Sequence, residues 1–283
     1  MRIARTIPEA RAAVAELRAQ ARCVGLVPTM GALHAGHLSL VRAARAACNA
    51  VVATIFVNPA QFAPNEDFAK YPRTFDADCA LLEAEDVDLL FAPEAAEMYP
   101  EGFCTVVEAQ GISDRLDGQS RPGHFRGVST VVAKLFNIVA PDKAFFGQKD
   151  AAQVAILRRM VRDLNFPLEM VVCPIVRDGD GLALSSRNRY LSPEDRRHAL
   201  ALSRALRRIE ERVAGGVSDA AALLDIGRAV LAEEPAVRLD YLRIVDPDTL
   251  EDRADVRHGA LVAVAAWVGS ARLIDNVLIP PRD

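Results

Sequence analysis

The feature that most constrains this chain is a regular alternation over residues 1–170. Short, continuous, β-branched apolar runs occur at CVGLVP (23–28), VVATIFV (51–57), VDLLFAP (87–93), KAFFG (143–147) and LEMVVCPIV (168–176). Between them lie segments with helical spacing: HLSLVRAARAAC, FDADCALLEAE, VSTVVAKLFNIV and AAQVAILRRMVRDL. A strand that is apolar throughout, rather than at every second residue, must be covered on both faces. Strands of that kind separated by amphipathic helices predict an α/β fold: a parallel sheet with helices on both faces. In such sheets ligands sit beyond the carboxyl ends of the strands. The residues following each run are therefore the candidates for chemistry.

Beyond residue 175 the rhythm changes. VRDGDGLALSSRNRYLSPED (176–195) is a polar, glycine-containing connection. SPED then opens a helix, with Ser192 as N-cap, Pro193 in the first turn and acids following. A second charged helix is expected over 218–234, and then strands at VRLDYLRIV (237–245), ALVAVAAWVG (260–269) and ARLIDNVLI (271–279). This predicts a smaller C-terminal α+β domain with an antiparallel sheet, so the expected domains are 1–175 and 176–283.

Composition enters mainly through what it excludes. With 34 basic and 38 acidic residues the chain is net −4 and carries no basic stripe, unlike a dedicated nucleic-acid binder. The longest apolar run, at 260–269, is too short to span a bilayer, and the N-terminal residues lack the apolar core of a signal peptide. No membrane or nucleic-acid partner is expected. The five cysteines (Cys23, Cys48, Cys79, Cys104, Cys173) show no paired C-x-x-C spacing. Zinc or a disulfide framework is not expected from that pattern; buried thiols in a reducing cytoplasm are.

Four stretches carry candidate chemistry. In VPTMGALHAGHLSLVRAA (27–44), His34 and His37 stand three apart where a turn becomes a helix, so they share a face of its first turn. A helix N-terminus favours anions, and Gly31 and Gly36 would let a bulky ligand approach, which suits a nucleotide. The alternatives are a metal pair, for which no third ligand is visible, or two polar caps. Asn58 and Gln61 follow the second strand, where Gln61 can read a hydroxyl or carboxylate without imposing charge; a polar loop is the plainer reading. In FFGQKDAAQ, Gly147 ends a strand, Lys149 offers a point charge and Asp150 begins a helix. In LALSSRN, two hydroxyls followed by Arg187 could grip a triphosphate, or form a solvated turn. A fifth cluster, Arg115, Arg121, His124 and Arg126, could bind phosphate or pin a loop, and its role stays open. His198 and His258 are expected to be solvated.

The string PTMGALHAGH resembles the H-x-G-H signature of Rossmann-like nucleotidyl-transferring enzymes, and more narrowly the pantoate–β-alanine ligase family. IFVNPAQF, RPGHFRGVSTVVAKLFNIVAPDKAFFGQKD and DGLALSSRNRYL match that family too, so the resemblance covers nearly the whole chain. It implies an ATP-dependent ligase that condenses pantoate with β-alanine to pantothenate through a pantoyl adenylate, releasing AMP and pyrophosphate. It further implies an ATP site formed by Met30, Gly31, Ala32, Leu33, His34, Ala35, Gly36 and His37, by Gly147, Gln148, Lys149 and Asp150, and by Val176, Leu184, Ser185, Ser186 and Arg187. Gln61 and Gln153 would contact pantoate, Gln61 also β-alanine, with Asn58 and Tyr71 lining the pocket. Mg²⁺ on the triphosphate, a homodimer, a cytoplasmic location and a C-terminal domain that closes over ATP are implied in the same way. His37, His34 and Lys149 are the catalytic candidates, with Ser185 and Arg187 as further donors to phosphate. Gln148, where many relatives carry glutamate, and Leu184, where some carry methionine, depart from the family pattern. Two rivals stand beside this reading: another H-x-G-H nucleotidyltransferase, and a nucleotide-binding regulatory module without catalysis.

Overall fold

The computed structural model describes residues 1–20, 23–62 and 68–282, the side chain of Lys70 excepted. The chain divides into two compact units. The first comprises 1–114, 118–147 and 156–174; the second comprises 115–117, 148–155 and 175–283.

In the first unit, β1 (Arg2–Ala4), β2 (Val24–Thr29), β3 (Ala50–Ile55), β4 (Leu89–Phe91), β5 (Lys143–Gly147) and β6 (Glu169–Cys173) form one parallel sheet in the order β1-β4-β3-β2-β5-β6. Its connecting helices are α1 (Ile7–Gln20), α2 (Ala35–Ala47), α3 (Phe75–Ala84), α4 (Ala95–Met98), α5 (Asp117–Ser120), α6 (His124–Val139) and α7 (Ala151–Asp163), of which α5 and α7 also include segments of the second unit. β2 and β3 are buried along almost their whole length, as their unbroken apolar sequences require. From β2 the order runs one way through β3 and β4 and the other way through β5 and β6. The direction of winding thus reverses between β2 and β5, and a crevice at the carboxyl end of β2 is the expected ligand position. The turn after β2 is the histidine-bearing one. β1 and α1 lie outside the expected pattern: three residues show no periodicity, and α1 buries only the small or short side chains of Ala10, Ala13 and Val14.

In the second unit, β7 (Val237–Val245), β8 (His258–Val268) and β9 (Ala271–Pro281) form an antiparallel sheet in that order. Helices α8 (Pro193–Ala214) and α9 (Ala220–Ala232) pack on it through Leu202, Leu206, Ile209 and Leu223, which meet Val262, Val264 and Leu273. Ser192 caps α8 as expected, its Oγ accepting from the Asp195 N–H while Asp195 accepts from the Ser192 N–H. The apolar run at 260–269 is the buried central strand.

Three expectations need correction. Cys23 and Cys48 are paired as a disulfide, with Cα atoms 4.8 Å apart. Cys23 immediately precedes β2 and Cys48 caps the end of α2 just before β3, a proximity that sequence spacing does not reveal. Of the other thiols Cys173 is buried, Cys79 is half-buried and Cys104 is exposed. His198 is not simply solvated, because its Nδ1 lies 2.6 Å from Glu234.

Candidate active site

The first unit contributes a turn, a helix N-terminus and a short docked loop. Thr29 ends β2, and the chain then turns through Gly31 (φ +82°) and Ala32 (φ +50°), both left-handed. The turn is held by a carboxylate that sequence reasoning missed. Asp78, only 2% exposed in the first turn of α3, accepts from the Ala32 N–H (2.9 Å), the Leu33 N–H (2.8 Å) and the Thr74 hydroxyl (3.1 Å). A Cβ on Gly31 would lie 3.0 Å from Asp78 Oδ2 and 3.1 Å from Ile55. Glycine is needed there for this packing and for its φ, rather than only for ligand approach. Leu33 is buried in the core, so only its backbone is available to a ligand.

His34 is the N-cap of α2 and His37 its third residue, with ring centroids 4.1 Å apart. The Gly36 N–H donates to His34 Nδ1 (3.1 Å) and the His34 N–H donates to His37 Nδ1 (3.3 Å). An imidazole nitrogen that accepts from a backbone N–H carries no proton, so this arrangement favours the Nε2–H tautomer of each ring. The capping alternative is realised, since the two side chains form a capping box, and the same two residues share the face of the first turn. The Gly36 and His37 amides are already used on His34, the latter on its carbonyl at 2.8 Å. The imidazoles, not those amides, are the donors this turn presents.

After β3, a 3-10 turn at Pro59–Gln61 is seated on α6. Gly127 permits it: a Cβ there would lie 2.1 Å from the Ala60 carbonyl oxygen and 2.7 Å from Gln61 Cα. Asn58, 1% exposed, donates from Nδ2 to the Gly127 carbonyl and to Gln61 Oε1, each at 3.1 Å. Its Oδ1 accepts from the Ala60 N–H (3.2 Å) and the Tyr99 hydroxyl (2.7 Å). The backbone partners fix which end of the Asn58 amide is which, and Asn58 then fixes Gln61. With Oε1 occupied, Gln61 presents its NH₂ group, one contact of which is the Met30 sulfur at 2.9 Å. Burial pushes the Tyr99 phenol up to about 12. Tyr71 is buried, edge-on to Phe62 with centroids 5.9 Å apart. Residues 63–67 of this stretch lie outside those described.

The open cluster resolves into separate roles. His124 Nδ1 lies 2.8 Å from the Gln61 carbonyl oxygen, and Arg121 bridges His124 (3.0 Å) and that same carbonyl (3.4 Å). They pin the Gln61 loop. Arg115 instead binds the Thr249 carbonyl and Glu251 in the second unit.

The second unit carries the other two stretches. Gln148–Asp150 is a 3-10 turn leading into α7, and Lys149 Nζ lies 3.5 Å from Asp150 Oδ1. Gln153 follows in the first turn of α7, half-buried. Gly147, at the end of β5 in the first unit, would have open space around a Cβ. The polar connection folds back on itself: Arg177 pairs with Ala183, and the Leu184 N–H donates to the Val176 carbonyl at 2.9 Å. Ser185 then caps a 3-10 turn over Ser186–Tyr190, its Oγ accepting from the Arg187 N–H at 3.3 Å.

A parallel sheet whose winding reverses beside the histidine-bearing N-terminus of α2 makes this an α/β protein of Rossmann-like architecture. Comparison narrows it. Residues 2–278 match the model of the family described as pantoate–β-alanine ligase. The chain is 66% identical to pantothenate synthetase of Acidobacterium capsulatum, covering 99% of this chain and 97% of that one. It is 54% identical to the enzyme of Thermotoga neapolitana, covering 99% and 100%. Among solved structures it resembles pantothenate synthetase of Thermus thermophilus, with TM-score 0.94, 51% identity and coverage of 99% and 100%. It also resembles the pantoate–β-alanine ligase of Francisella tularensis in complex with β,γ-ATP and β-alanine, with TM-score 0.81, 34% identity and coverage of 98% and 97%. The chain belongs to the pantoate–β-alanine ligase family, and is a ligase of pantothenate biosynthesis.

Proposed function

We propose that the ligase works through two successive displacements driven by ATP. A carboxylate does not form an amide with an amine at neutral pH, because oxide is too poor a leaving group. A pantoate carboxylate oxygen first attacks the α-phosphorus of ATP, and the bond from that phosphorus to the bridging oxygen breaks, releasing pyrophosphate. The β-alanine nitrogen then attacks the acyl carbon, the bond to the AMP oxygen breaks, and the amine loses a proton. Homology supports this reading, since the Francisella tularensis relative was solved with β,γ-ATP and β-alanine.

The observation that carries it is the pairing of two imidazoles at the N-terminus of α2, each with its Nδ1 on a backbone N–H. Charge builds on phosphoryl oxygens during the first step, so catalysis rests on donors aimed at them. With both Nδ1 atoms occupied by backbone N–H groups, His34 and His37 offer Nε2–H donors of fixed orientation. Neutral donation, rather than proton transfer, is the role this geometry supports. Lys149, Ser185 and Arg187 are the further donors, and Gly31, Gly147, Asp150, Val176 and Leu184 complete the nucleotide contacts. Gln61, held as a donor by Asn58, would read the oxygens of pantoate; Gln153 and Tyr71 belong to the same pocket. Among the described residues no three His, Cys, Asp or Glu side chains gather as a metal site. Mg²⁺, implied by the family resemblance, would supply charge neutralisation on the triphosphate, beside the cationic Lys149 and Arg187 of the chain itself. In this reading 1–175 binds ATP and pantoate, 176–283 acts as the closing domain, and the enzyme is a cytoplasmic homodimer. No helix among the described residues is long and apolar enough to cross a membrane.

The test is ATP–pyrophosphate exchange in the presence of pantoate. His37→Ala and Lys149→Ala are expected to lose on the order of 10²-fold, as the removal of charge-stabilising donors does. Near-wild-type exchange in either variant would remove that residue from the mechanism.

A further inference from the structure

Two adjacent residues of β9, Asp275 and Asn276, have no part in any of the candidate stretches. Each is buried, at 4% and 3% exposure, in a strand that would need no polar group for its own pairing with β8. Burying a carboxylate and an amide is costly unless each is fully engaged. Both are.

Successive strand residues face opposite sides of a sheet, and the pair uses this to hold two separate segments. On the side of Leu273 and Ile279, Asp275 receives both ends of the Arg177 guanidinium, at 2.6 and 2.8 Å. Arg177 also donates to the Gly181 carbonyl (3.1 Å), so this one ion pair ties down the base of the fold-back that delivers Leu184–Arg187. On the other side, Asn276 donates from Nδ2 to the carbonyls of Gln148 (3.0 Å) and Lys149 (2.9 Å), and accepts from Gln148 Nε2 (3.0 Å). These bonds fix the backbone at both Gln148 and Lys149. A third bond links the two holders, from the Asn276 N–H to Asp275 Oδ1 (2.8 Å).

We infer that Asp275 and Asn276 are positioning residues for the nucleotide, setting the Lys149 turn and the Ser185–Arg187 turn from a single point on β9. The inference rests on the proposal that these two stretches bind ATP. Asparagine is required at 276 because the position donates twice and accepts once. Aspartate would turn an acceptor toward two carbonyls, and an aliphatic side chain would leave all three partners unsatisfied.

The experiment measures kcat/KM for ATP, KM for pantoate and thermal unfolding in Asn276→Ala and Asp275→Asn, with Asn276→Ala repeated in a Lys149→Ala background. Each single variant is expected to lower kcat/KM for ATP by about tenfold, the usual consequence of unmaking buried hydrogen bonds, while KM for pantoate stays at the wild-type value. In the Lys149→Ala background the further loss from Asn276→Ala should nearly vanish, because its effect passes through that side chain. A variant that melts earlier yet keeps wild-type kcat/KM for ATP would overturn the inference, and so would an undiminished loss in the Lys149→Ala background. Should Asn276→Ala fail to fold, Asn276→Asp keeps the side chain's shape while turning an acceptor toward the two carbonyls, and the same two readouts apply. If Lys149→Ala itself leaves ATP use intact, it is the nucleotide-site proposal that fails.

Discussion

Exchanging Tyr99 for phenylalanine removes one hydroxyl from the buried set that orients Gln61. The Tyr99 hydroxyl donates to Asn58 Oδ1, and Asn58 Nδ2 donates to Gln61 Oε1. Losing one such bond costs about 1 kcal/mol, so KM for pantoate should rise about fivefold in Tyr99→Phe while KM for ATP holds. Steady-state kinetics with each substrate varied in turn would check this; equal rises in both constants would contradict it. Asn58 and Gln61 stood out in the sequence by their place after an apolar run, although a polar loop was the plainer reading of the residue types and only the family resemblance favoured a binding role. Tyr99 did not stand out, because it joins them from 41 residues away, and nothing local distinguishes it from a packing aromatic. Asp78 was hidden differently. Its neighbours in FDADCALLEAE made it one more acid in a helical first turn, where acids are expected on dipole grounds alone. Only its burial, and its two backbone amides, reveal that it serves the turn after β2.

At the scale of elements, that turn and the docked 3-10 loop are the two pieces that supports must hold. Asp78→Ala would leave the Ala32 and Leu33 amides without their acceptor, at about 1–3 kcal/mol for each buried group left unsatisfied. A lower denaturant midpoint and weakened exchange are expected together. Gly127→Ala would drive a Cβ into the Ala60 carbonyl, an overpacking that typically costs about 1–3 kcal/mol. Because the intrusion falls on the Gln61 loop, KM for pantoate should rise as stability falls; a variant with only one of the two effects would contradict the assignment. Strands and long helices were readable wherever an apolar period ran for a full element. β1 is three residues long and gave no period to read. The disulfide partners were unreadable for a related reason: their proximity comes from strand order, since β2 and β3 pair with Val24 opposite Ala50.

For the molecule as a whole, burial of two phenols sets an alkaline limit. Tyr99 is pushed to about 12 and Tyr241 well above its ordinary value of 10.0, in both cases chiefly by desolvation. Above the unfolded-state value the unfolded chain loses phenolic protons that the folded chain still holds, so the unfolded state gains. Stability is therefore full below about pH 10 and falls as pH rises from about 10 to 12. Thermal unfolding across that range should show the decline, and Tyr99→Phe should flatten it.

The fold class, and the stretches that follow strand ends, could be read from the chain because apolar continuity and helical period are dense signals. The strand order, with its reversal beside β2, could not, since no local signal in the chain says which strands become neighbours. The central claim is that pantoate itself attacks ATP before any amine is involved. Exchange of labelled pyrophosphate into ATP, measured without β-alanine, tests it most directly. Exchange should proceed when pantoate is present and be absent when it is withheld; exchange that ignores pantoate, or that requires β-alanine, would contradict the account.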